Sequence, residues 1–470
     1  MENIFTRRNF LKAVGLGAAT FTIEGCWNMR QGVSSPRPTE KPNIVLVIAD
    51  DHTMRDSGCY GNKVVKTPNI DRLAREGMRF TRAFTATAMC APTRSVLYTG
   101  LYPVRNGAYP NHSRVYPGTK SLPHYLKEVG YRVGLAGKRH IGPVESFPFE
   151  YLQRTVAVVD EFIRSCNDQP FCLVIATNDP HAPWKKGGPY DPAEIELPPY
   201  LVDTPETRQA VANYYTDVSS MDEEVGTYIE VIRKHDLQEN TLLIYTSEQG
   251  AQLPHGKWTC YDVGLAVEFI ARWPGWIQPG SVSDAMIHYV DVTPTLIDAA
   301  GGKPIQGLDG TSFLDVLLGK RDQHRNVVYG VHTTRGIIDG SECYPIRSVR
   351  TATHKYIMNL NADTPFRNVL ISKDGENYWR SWVEKAKTDA EAARLVTMYQ
   401  HRPAEELYDL RRDPYELNNI AADPANRELV ASLRKRLEDW MRRQGDHGVE
   451  TEMLAFERQG KKQTSNKKNK

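Results

Sequence analysis

The sequence predicts an α/β fold, in which a large doubly wound sheet is flanked by helices and followed by a smaller C-terminal α+β subdomain. Two observations support this prediction. Apolar runs of strand length alternate with helical segments over the first 324 residues, as they do where helices cover both faces of a sheet. From about residue 325 the segments are shorter and alternate between polar and apolar positions, as in 346–360, which indicates a second sheet.

The first predicted strand is the run 43–49 (Asn-Ile-Val-Leu-Val-Ile-Ala). The run is continuous, apolar and rich in β-branched residues, so it suits a strand that is buried on both faces. It is followed by Asp50 and Asp51. Because open α/β sheets bind ligands beyond the carboxyl ends of their strands, these two carboxylates are candidate site residues. Further buried strands are predicted at 132–136, 171–177, 241–247 and 267–272.

Helices are predicted between these strands. Thr67 and Pro68 open a helix that Gly77 closes. A second helix is expected to begin at Pro92, which places residue 90 at a helix N-terminus, where backbone N–H groups favour an anion. Other helices are predicted at about 206–234, 292–300 and 425–444.

Composition and charge narrow the class of protein. The chain has 470 residues, of which 25% are charged, and its mean hydropathy is −0.50, as in ordinary soluble enzymes. The net charge of +2 creates no global field that would favour nucleic acid or a membrane surface as a partner. The seven cysteines contain no C-x-x-C pair and are too few for a disulfide scaffold. Cys172 lies in an apolar run and is predicted to be a small core side chain.

The predicted segments are an export signal at 1–26, a linker at 27–40, a catalytic domain at 41–324, an α+β subdomain at 325–455 and a disordered basic tail at 456–470. In the first segment, Arg7 and Arg8 precede an apolar run that is too short to span a membrane, which is typical of a twin-arginine export signal. Cys26 leaves two outcomes open, cleavage by a signal peptidase or a lipid anchor. We therefore expect an exported protein, periplasmic or extracellular, without a transmembrane span.

Residues 90–94 (Cys-Ala-Pro-Thr-Arg), followed by Thr99 and Gly100, form the most specific motif. Here the chain resembles the type I sulfatases of the alkaline phosphatase superfamily, in which this cysteine is oxidised to formylglycine and the aldehyde hydrate is the nucleophile. The resemblance implies an alkaline phosphatase-like mixed sheet. The other matching motifs, in chain order, are Asp50-Asp51, 137–142 (Gly-Lys-Arg-His-Ile-Gly), 180–183 (Pro-His-Ala-Pro), 247–250 (Ser-Glu-Gln-Gly) and 257–262 (Lys-Trp-Thr-Cys-Tyr-Asp).

The resemblance also implies one Ca²⁺ ion per chain and conversion of Cys90 to 3-oxoalanine (C-formylglycine). The implied metal ligands are Asp50, Asp51, Cys90 after oxidation, Glu248 and Gln249. The family usually has Asp followed by Asn or His where this chain has Glu248 and Gln249, so both side chains are one methylene longer. Because both keep oxygen donors and calcium tolerates variable oxygen coordination, we expect metal binding with a shifted backbone.

Catalytic roles follow from the matched positions. Lys138 and Lys257 are expected to clamp the sulfate oxygens, and Arg94 to hold the formylglycine hydrate. His140 is the expected base for sulfate expulsion. His181 is the expected acid for the leaving group, alone or shared with Lys257.

Within the family, the chain is most similar to the N-sulfoglucosamine sulfohydrolase (heparan N-sulfatase) branch, through residues 137–143, 178–181 and 344–349. This implies a sulfated saccharide substrate, either a glycosaminoglycan or an algal polysaccharide such as ulvan, with N- and O-sulfate both open. It also implies a partner, a formylglycine-generating or anaerobic sulfatase-maturating enzyme. The candidate substrate-binding residues, expected on loops around the site, are Asn111, His112, Arg114, His332 and Arg335.

Two alternatives belong to other functional classes. A phosphate or phosphonate monoester hydrolase of the same superfamily would need more positive charge or a second metal site, and no second Asp/His set is clearly placed in the sequence. A glycan-binding protein with an inactive site would need to have lost part of the motif set, whereas the nucleophile, His and Lys positions are complete.

Overall fold

The computed structural model describes residues 40–372 and 377–460. The predicted export signal with Cys26, the linker up to residue 39 and the basic tail from residue 461 lie outside the described residues. Within the described ranges, no helix combines the length and the apolar character needed to cross a bilayer.

The described residues contain fourteen strands in three sheets. The strands are β1 (Asn43–Ala49), β2 (Met78–Phe80), β3 (Ala83–Phe84), β4 (Arg132–Gly137), β5 (Glu150–Leu152), β6 (Phe171–Ala176), β7 (Thr241–Ser247), β8 (Phe269–Arg272), β9 (Ser281–Ser283), β10 (Ile287–His288), β11 (Val328–His332), β12 (Ile346–Arg350), β13 (His354–Asn359) and β14 (Glu405–Asp409). The five strands predicted for the large sheet are confirmed as β1, β4, β6, β7 and β8.

The described residues also contain fourteen α-helices. These are α1 (Pro68–Glu76), α2 (Cys90–Thr99), α3 (Pro103–Asn106), α4 (Leu122–Glu128), α5 (Val156–Cys166), α6 (Pro205–Lys234), α7 (Asp262–Leu265), α8 (Val292–Ala299), α9 (Leu314–Leu317), α10 (Asn377–Lys385), α11 (Ala390–Gln400), α12 (Arg427–Gln444), α13 (Val449–Met453) and α14 (Ala455–Arg458). The predictions for α1, α6, α8 and α12 are confirmed to within two residues.

Helix α2 begins at Cys90, two residues before the predicted start at Pro92, with Met89 as its N-cap residue. The prediction was wrong because a proline does not have to be the first residue of a helix. The first four N–H groups of a helix have no acceptor within it, so the third position also tolerates a residue without an N–H.

The large sheet has eight strands in the order β5-β4-β6-β1-β7-β8-β2-β9. The first five of these are parallel, and β8 is antiparallel to both of its neighbours, so the sheet is mixed as expected. Alternate residues of β1 belong to two different cores: Ile44 and Leu46 to one, Val45 and Val47 to the other. Both faces of the sheet are therefore covered, which explains why β1 is apolar at every position after Asn43.

A second sheet follows residue 325, as predicted. Strands β11 to β14 form it in sequence order, and all its pairs are antiparallel. Helix α12 covers one face, where the Trp440 ring stacks on Tyr329 with centroids 4.6 Å apart. On the other face, Ile346 and Ile357 share a core with Tyr261 of the large-sheet region. The second sheet is thus packed directly against the first part of the molecule.

The prediction of a disordered tail from residue 456 is wrong for residues 456–460. Phe456 lies in helix α14 beneath the guanidinium of Arg335, 4.4 Å from ring centroid to Cζ. Gln459 donates to the backbone oxygen of Asn111 at 2.5 Å. The lysine-rich composition applies to the residues after 460, whereas 456–459 carry an aromatic ring and hydrogen-bond donors that find partners in the fold.

Candidate active site

The candidate site lies beyond the carboxyl ends of four neighbouring strands, β4, β6, β1 and β7. Asp50 follows β1, Lys138 follows β4, His181 lies in the loop after β6, and Glu248 follows β7. Since these strands are adjacent and parallel, residues far apart in sequence meet at one edge of the sheet. The structure thus brings together nine of the predicted residues, which we call the carboxyl-edge site: Asp50, Asp51, Cys90, Arg94, Lys138, His181, Glu248, Gln249 and Lys257.

Cys90 is buried in the first turn of α2, which directs its side chain toward the carboxylates. Its Sγ atom is 3.8 Å from Oδ1 of Asp50 and 3.3 Å from Nε2 of Gln249. The thiol therefore lies where the partial positive charge of a helix N-terminus meets a group of acidic side chains. A nucleophile formed at this position would have the helix dipole to stabilise negative charge.

Four side chains could share one metal ion. Ligand atoms of Asp50, Asp51, Cys90 and Glu248 all lie within 4.8 Å of one another. Gln249 completes the group through its amide, whose Nε2 is 2.7 Å from Oδ1 of Asp51. Its Oε1 is buried and has no hydrogen-bond partner among the described residues. Three carboxylates and an amide oxygen form the donor set that a hard divalent cation such as calcium prefers, so the residues present fit that ion.

Three cations surround these acids. Nε of Arg94 is 2.6 Å from Oε2 of Glu248, and Nζ of Lys257 is 2.6 Å from Oδ2 of Asp51. Lys138 forms an ion pair with Asp50 and its Nζ is 3.7 Å from Glu248. Arg94 and Lys257 are buried, whereas Lys138 remains partly exposed. These cations are positioned to meet the oxygens of an anionic group that enters the site.

The two central carboxyl groups respond differently to this environment. Burial, then the charges of Glu248 and Cys90, raise the pKa of Asp50 well above its usual value. Burial also acts to raise the pKa of Glu248, but Arg94 and Lys138 outweigh it and hold that pKa well below the usual value. Negative charge is thus well compensated at Glu248 and crowded at Asp50.

The two candidate histidines also differ. Burial lowers the pKa of His181, but a hydrogen bond to Cys90 and the charge of Asp51 outweigh it and raise this pKa to about 9. Burial and the charge of Lys138 lower the pKa of His140 to about 4. His181 is therefore protonated near neutral pH, as an acid requires, whereas His140 is neutral.

The predicted substrate-binding residues fall into two groups. Asn111 and His112 reach the site: Oδ1 of Asn111 accepts from the N–H of Ala91 at 3.4 Å, and His112 contacts His140. Arg114 is exposed on the same loop, beside Gly142. The loop containing these residues runs from Gly107 to Tyr116 and is called the 107–116 loop below.

His332 and Arg335 match the expectation to different degrees. His332 is the last residue of β11 rather than a loop residue, and it is fully buried with its ring against Phe366. Arg335 lies on a loop, but it is buried, with its guanidinium against Glu342 and Phe456. The expected loop position is therefore wrong for His332 and right for Arg335. Both side chains are buried, because their neighbours in space come from parts of the chain that the local sequence does not reveal.

The contribution of the C-terminal helices was not predicted from the sequence. Oε1 of Glu452 accepts hydrogen bonds from the backbone N–H groups of Thr334 and Arg335, each at 2.8 Å. Arg458 donates to the backbone oxygens of Gly107 and Arg114, at 2.8 and 2.6 Å. Phe456, which lies just before the lysine-rich tail, was the available signal that this part of the chain is ordered.

Comparison with known families gives matches over most of the chain. The family model described as Sulfatase matches residues 42–153 and 143–302. A second model, described as N-sulphoglucosamine sulphohydrolase, C-terminal, matches residues 254–377 and 381–443. The first match contains every residue of the carboxyl-edge site, and the second contains the antiparallel sheet and most of α12.

Individual relatives agree with these matches. An ulvan-active sulfatase of Formosa agariphila is 37% identical over 422 residues, covering 87% of this chain and 81% of the relative. Human N-sulphoglucosamine sulphohydrolase is 29% identical over 468 residues, covering 87% of this chain and 91% of the human protein.

Solved structures show the same fold. A protein in complex with its substrate D-glucosamine-2-N,6-O-disulfate superposes with a TM-score of 0.68 and 20% identity, covering 87% of this chain and 99% of that one. The phosphonate monoester hydrolase of Agrobacterium radiobacter gives a TM-score of 0.67 with 19% identity, covering 87% and 97%. These two superpositions show a shared fold, and a fold by itself does not identify a reaction.

Proposed function

Because the chain belongs to the sulfatase family, it is a sulfatase enzyme, and we propose that it removes sulfate from a sulfated saccharide with a nucleophile made from Cys90. The observation that carries this proposal is the geometry around Cys90. The thiol lies at the N-terminus of α2, within 4.8 Å of the ligand atoms of three carboxylates and close to three cations. Sulfate transfer requires these elements: a nucleophile, charge stabilisation and a proton donor.

The proposed nucleophile is formylglycine, produced by oxidation of Cys90 by a maturating enzyme. The hydrate of this aldehyde supplies a hydroxyl that attacks sulfur, and its second hydroxyl supplies the means to expel sulfate afterwards. Arg94 is placed to hold this group, because it occupies the same face of α2 one turn later and its guanidinium is buried at the site. The site thereby accepts a residue at position 90 that carries oxygen instead of sulfur.

A calcium ion would be held by Asp50, Asp51, Glu248 and the amide oxygen of Gln249, with the oxidised side chain at position 90. Bound there, it would supply charge stabilisation for the hydrate and for the sulfuryl oxygens. The unpartnered Oε1 of Gln249 supports this proposal, because a buried amide oxygen without a partner costs about 1–3 kcal/mol. The amide turns Nε2 rather than Oε1 toward Asp51 and Cys90, so ligation of calcium through Oε1 requires the amide group to rotate by 180°, which exchanges the two atoms.

The remaining roles belong to side chains around the sulfuryl group. Lys138 and Lys257 neutralise its oxygens, since each ammonium already lies against a carboxylate of the site. His181 gives its proton to the leaving oxygen or nitrogen. Its Nδ1 faces the backbone oxygen of Ala182 at 2.5 Å and its Nε2 faces Asp51 at 3.6 Å, so the ring is fixed in orientation. His140 is the last of the proposed catalytic residues that lie around the sulfuryl group.

Support for a saccharide substrate comes from the relatives. The sulfatase of Formosa agariphila is described as ulvan-active. The second family model is that of the C-terminal region of N-sulphoglucosamine sulphohydrolase. We propose that the chain is exported and degrades a sulfated polysaccharide, such as a glycosaminoglycan or ulvan, with N- and O-sulfate to be distinguished by assay.

Two assays test the proposed function. The matured enzyme is incubated with a panel of sulfated disaccharides of defined position, which include N-, 2-O- and 6-O-sulfates, and released sulfate is measured for each. A parallel assay compares sulfate, phosphate and phosphonate esters of one aryl alcohol, because the phosphonate hydrolase shares the fold. A higher kcat/KM for the sulfate ester supports the proposal. A higher kcat/KM for the phosphate or phosphonate ester would overturn it.

Mass spectrometry of the peptide that contains residue 90 tests the nucleophile. Oxidation of cysteine to formylglycine replaces the thiol with an aldehyde, so the mass of the peptide changes in a defined way. Native active protein that carries only unmodified Cys90 would rule out the proposed nucleophile while leaving the family membership unaffected.

A further inference from the structure

Two histidines from different loops are paired beside the carboxyl-edge site. Nδ1 of His112, in the 107–116 loop, is 2.8 Å from Nε2 of His140, which follows β4. Both residues have backbone φ values in the left-handed region, +57° for His112 and +47° for His140. Residues with a β-carbon are uncommon in that region and persist where the surrounding structure holds them. The pair is therefore a fixed feature of the fold.

A neighbouring amide determines which histidine donates. The backbone N–H of Ala91 is 3.4 Å from Oδ1 of Asn111 and can only donate, so this atom of Asn111 is the acceptor. The other end of the amide, Nδ2, is 3.4 Å from Nε2 of His112. An NH₂ group can only donate, so Nε2 of His112 carries a lone pair.

The proton positions of both rings follow. A neutral imidazole has one N–H, so that of His112 is on Nδ1 and donates to Nε2 of His140. His140 then accepts at Nε2 and carries its own proton on Nδ1. This tautomer is assigned from the hydrogen-bond network, and the assignment starts from the backbone N–H of Ala91, which can only donate.

The Nδ1 atom of His140 is buried and has no hydrogen-bond partner among the described residues. A buried N–H without an acceptor costs about 1–3 kcal/mol, so the arrangement is complete only when a ligand supplies an acceptor. The charged groups that act on this ring include Lys138, Glu248, Arg94 and Lys257, all members of the carboxyl-edge site. A hydrogen-bond acceptor bound in the carboxyl-edge site would therefore lie near the N–H at Nδ1 of His140.

We propose that Asn111 and His112 hold His140 in the Nδ1–H tautomer, so that His140 donates a hydrogen bond to an oxygen of the bound sulfuryl group. His112 and Asn111 are positioning residues, because they act through His140. This inference rests on the proposed function and deepens it. The family resemblance implies that His140 is a base. The assigned tautomer instead makes Nδ1 of His140 a hydrogen-bond donor before the reaction begins.

The C-terminal segment supports this geometry. Gln459 donates to the backbone oxygen of Asn111 at 2.5 Å. Arg458 donates to the backbone oxygens of Gly107 and Arg114, which lie on either side of Asn111 and His112 in the sequence. The guanidinium of Arg458 also lies over the ring of Tyr116, 4.1 Å from its centroid. The 107–116 loop is thus anchored from outside the site, which fixes Asn111 and His112 relative to His140.

The tautomer is measured directly by NMR of the full chain labelled with ¹⁵N-histidine. A His140→Gln variant identifies the His140 signals by their loss. We expect the chemical shift of Nε2 to be that of an unprotonated nitrogen and that of Nδ1 to be that of a protonated one. A proton on Nε2 of His140 in the wild type would overturn the proposal.

The variant Asn111→Asp is a matched change, because it keeps the size of the side chain and removes the NH₂ donor. A carboxylate accepts a hydrogen bond from the N–H at Nε2 of His112, so at a pH where His112 is neutral its Nδ1 becomes an acceptor and the proton of His140 moves to Nε2. We expect this reversal in the NMR spectrum of the variant. An unchanged His140 tautomer in a variant with native circular dichroism would overturn the role of Asn111.

Kinetics separate positioning from general structural support. In His112→Asn the amide nitrogen lies near the position of Nδ1, whereas in His112→Gln it lies near that of Nε2. We expect His112→Gln and His112→Ala to lower kcat by about 10- to 100-fold, as for other partners that fix a histidine tautomer, and His112→Asn, which keeps a donor near the position of Nδ1, to lower kcat less than either. Equal losses in all three variants would overturn the proposal. If the wild type released no sulfate from any ester, the proposed function would fail, while the NMR result would still decide the tautomer.

Discussion

Two clusters of buried or half-buried charged side chains in this molecule contain the same residue types but differ in their roles. The carboxyl-edge site combines three carboxylates with Arg94, Lys138 and Lys257. An inter-sheet cluster, which we define as Asp262, Arg350, Lys355 and Glu416, joins α7 to the antiparallel sheet. There, Oδ1 of Asp262 is 2.8 Å from Nζ of Lys355, and Oδ2 is 2.9 Å from Nε of Arg350.

The pKa directions show how the two groups differ. Burial acts to raise the pKa of Asp262, but Arg350 and Lys355 outweigh it and lower this pKa well below its usual value. The pKa of Asp50 is raised instead, first by burial and then by the charges of Glu248 and Cys90. The cations of the inter-sheet cluster compensate Asp262, whereas Asp50 is in the environment that a bound cation would relieve. In the inter-sheet cluster, however, burial and the charge of Asp262 raise the pKa of Glu416 to about 8, so pKa directions alone do not identify a functional site. What distinguishes the carboxyl-edge site is that ligand atoms of Asp50, Asp51, Cys90 and Glu248 lie within 4.8 Å of one another.

The largest test of this comparison is Cys90→Ala. We expect kcat/KM to fall by about 10⁴-fold or more, the order of loss seen when a nucleophile is removed, with the free energy of unfolding within about 1 kcal/mol of the wild type. Initial rates and thermal denaturation measure the two effects.

Cys172→Ala is the matched control. Cys172 lies in β6, fully buried in the core, and its pKa is raised by burial to about 12. We expect that variant to lose about 1 kcal/mol of stability and to keep its turnover. Retained turnover in Cys90→Ala would contradict the assignment of position 90.

Removal of calcium should have the next largest effect. Exhaustive chelation is expected to lower kcat by about 100-fold or more and addition of Ca²⁺ to restore it, because three carboxylates would lose their common cation. Calcium at about 100 times its Kd should also stabilise the fold by about 2.7 kcal/mol, measured as a rise in Tm. Asp51→Asn should weaken the Tm response, and full activity after chelation would remove calcium from the proposal.

Lys355→Met should affect stability alone. Lys355 is buried between Asp262 and Glu416, so its loss leaves Glu416 without its cation and Asp262 with Arg350 alone, which costs about 3–5 kcal/mol. Urea unfolding measures this loss, and kcat and KM of the folded variant should stay within about twofold of the wild type. Lys387→Met, at an exposed ion pair with Glu384, should change stability by less than about 0.5 kcal/mol. A large change in kcat for Lys355→Met would show that the two groups of charges are coupled.

The smallest expected effect is on the pH profile. Burial lowers the pKa of His181, whereas a hydrogen bond to Cys90 and the charge of Asp51 raise it to about 9 in the chain with an unmodified cysteine. In the matured enzyme the charge of Asp51 still favours the protonated ring, so with a saccharide substrate kcat should fall about tenfold per pH unit above the pKa of His181, because the leaving oxygen then lacks a proton donor. An aryl sulfate, whose leaving group needs no proton, should show no such decline. His181→Gln should abolish the difference between the two substrates.

Much of the fold could be predicted because its signals are local. The strand β1 was predicted from its apolar run alone, and the site residues were expected beyond strand ends because parallel strands share a carboxyl edge. The short strands β2, β3, β5 and β9 were not predicted, since two or three residues carry no usable periodicity. Their pairing depends on neighbours that lie far away in the sequence.

The site was predictable where a motif fixes its residues and not where tertiary contacts do. Cys90 and Asp50 belong to ordered motifs, so their meeting was expected. The pairing of His112 with His140 depends on the course of two loops, and the burial of His332 depends on Phe366. Asp262 belongs to a matched motif, yet it lies in the inter-sheet cluster, so motif membership alone does not show contact with the site.

If Cys90 is converted to formylglycine as proposed, its burial and the late position of Gln459 set a schedule for that conversion. Only 2% of Cys90 is exposed in the folded chain, so an enzyme that oxidises it must act before the fold closes. Gln459, which anchors the 107–116 loop, follows Cys90 by 369 residues (459 − 90). At translation rates of about 5–20 residues per second, about 20–70 s separate the two on the ribosome. During this interval Cys90 has been synthesised, but Gln459, which anchors the 107–116 loop, has not.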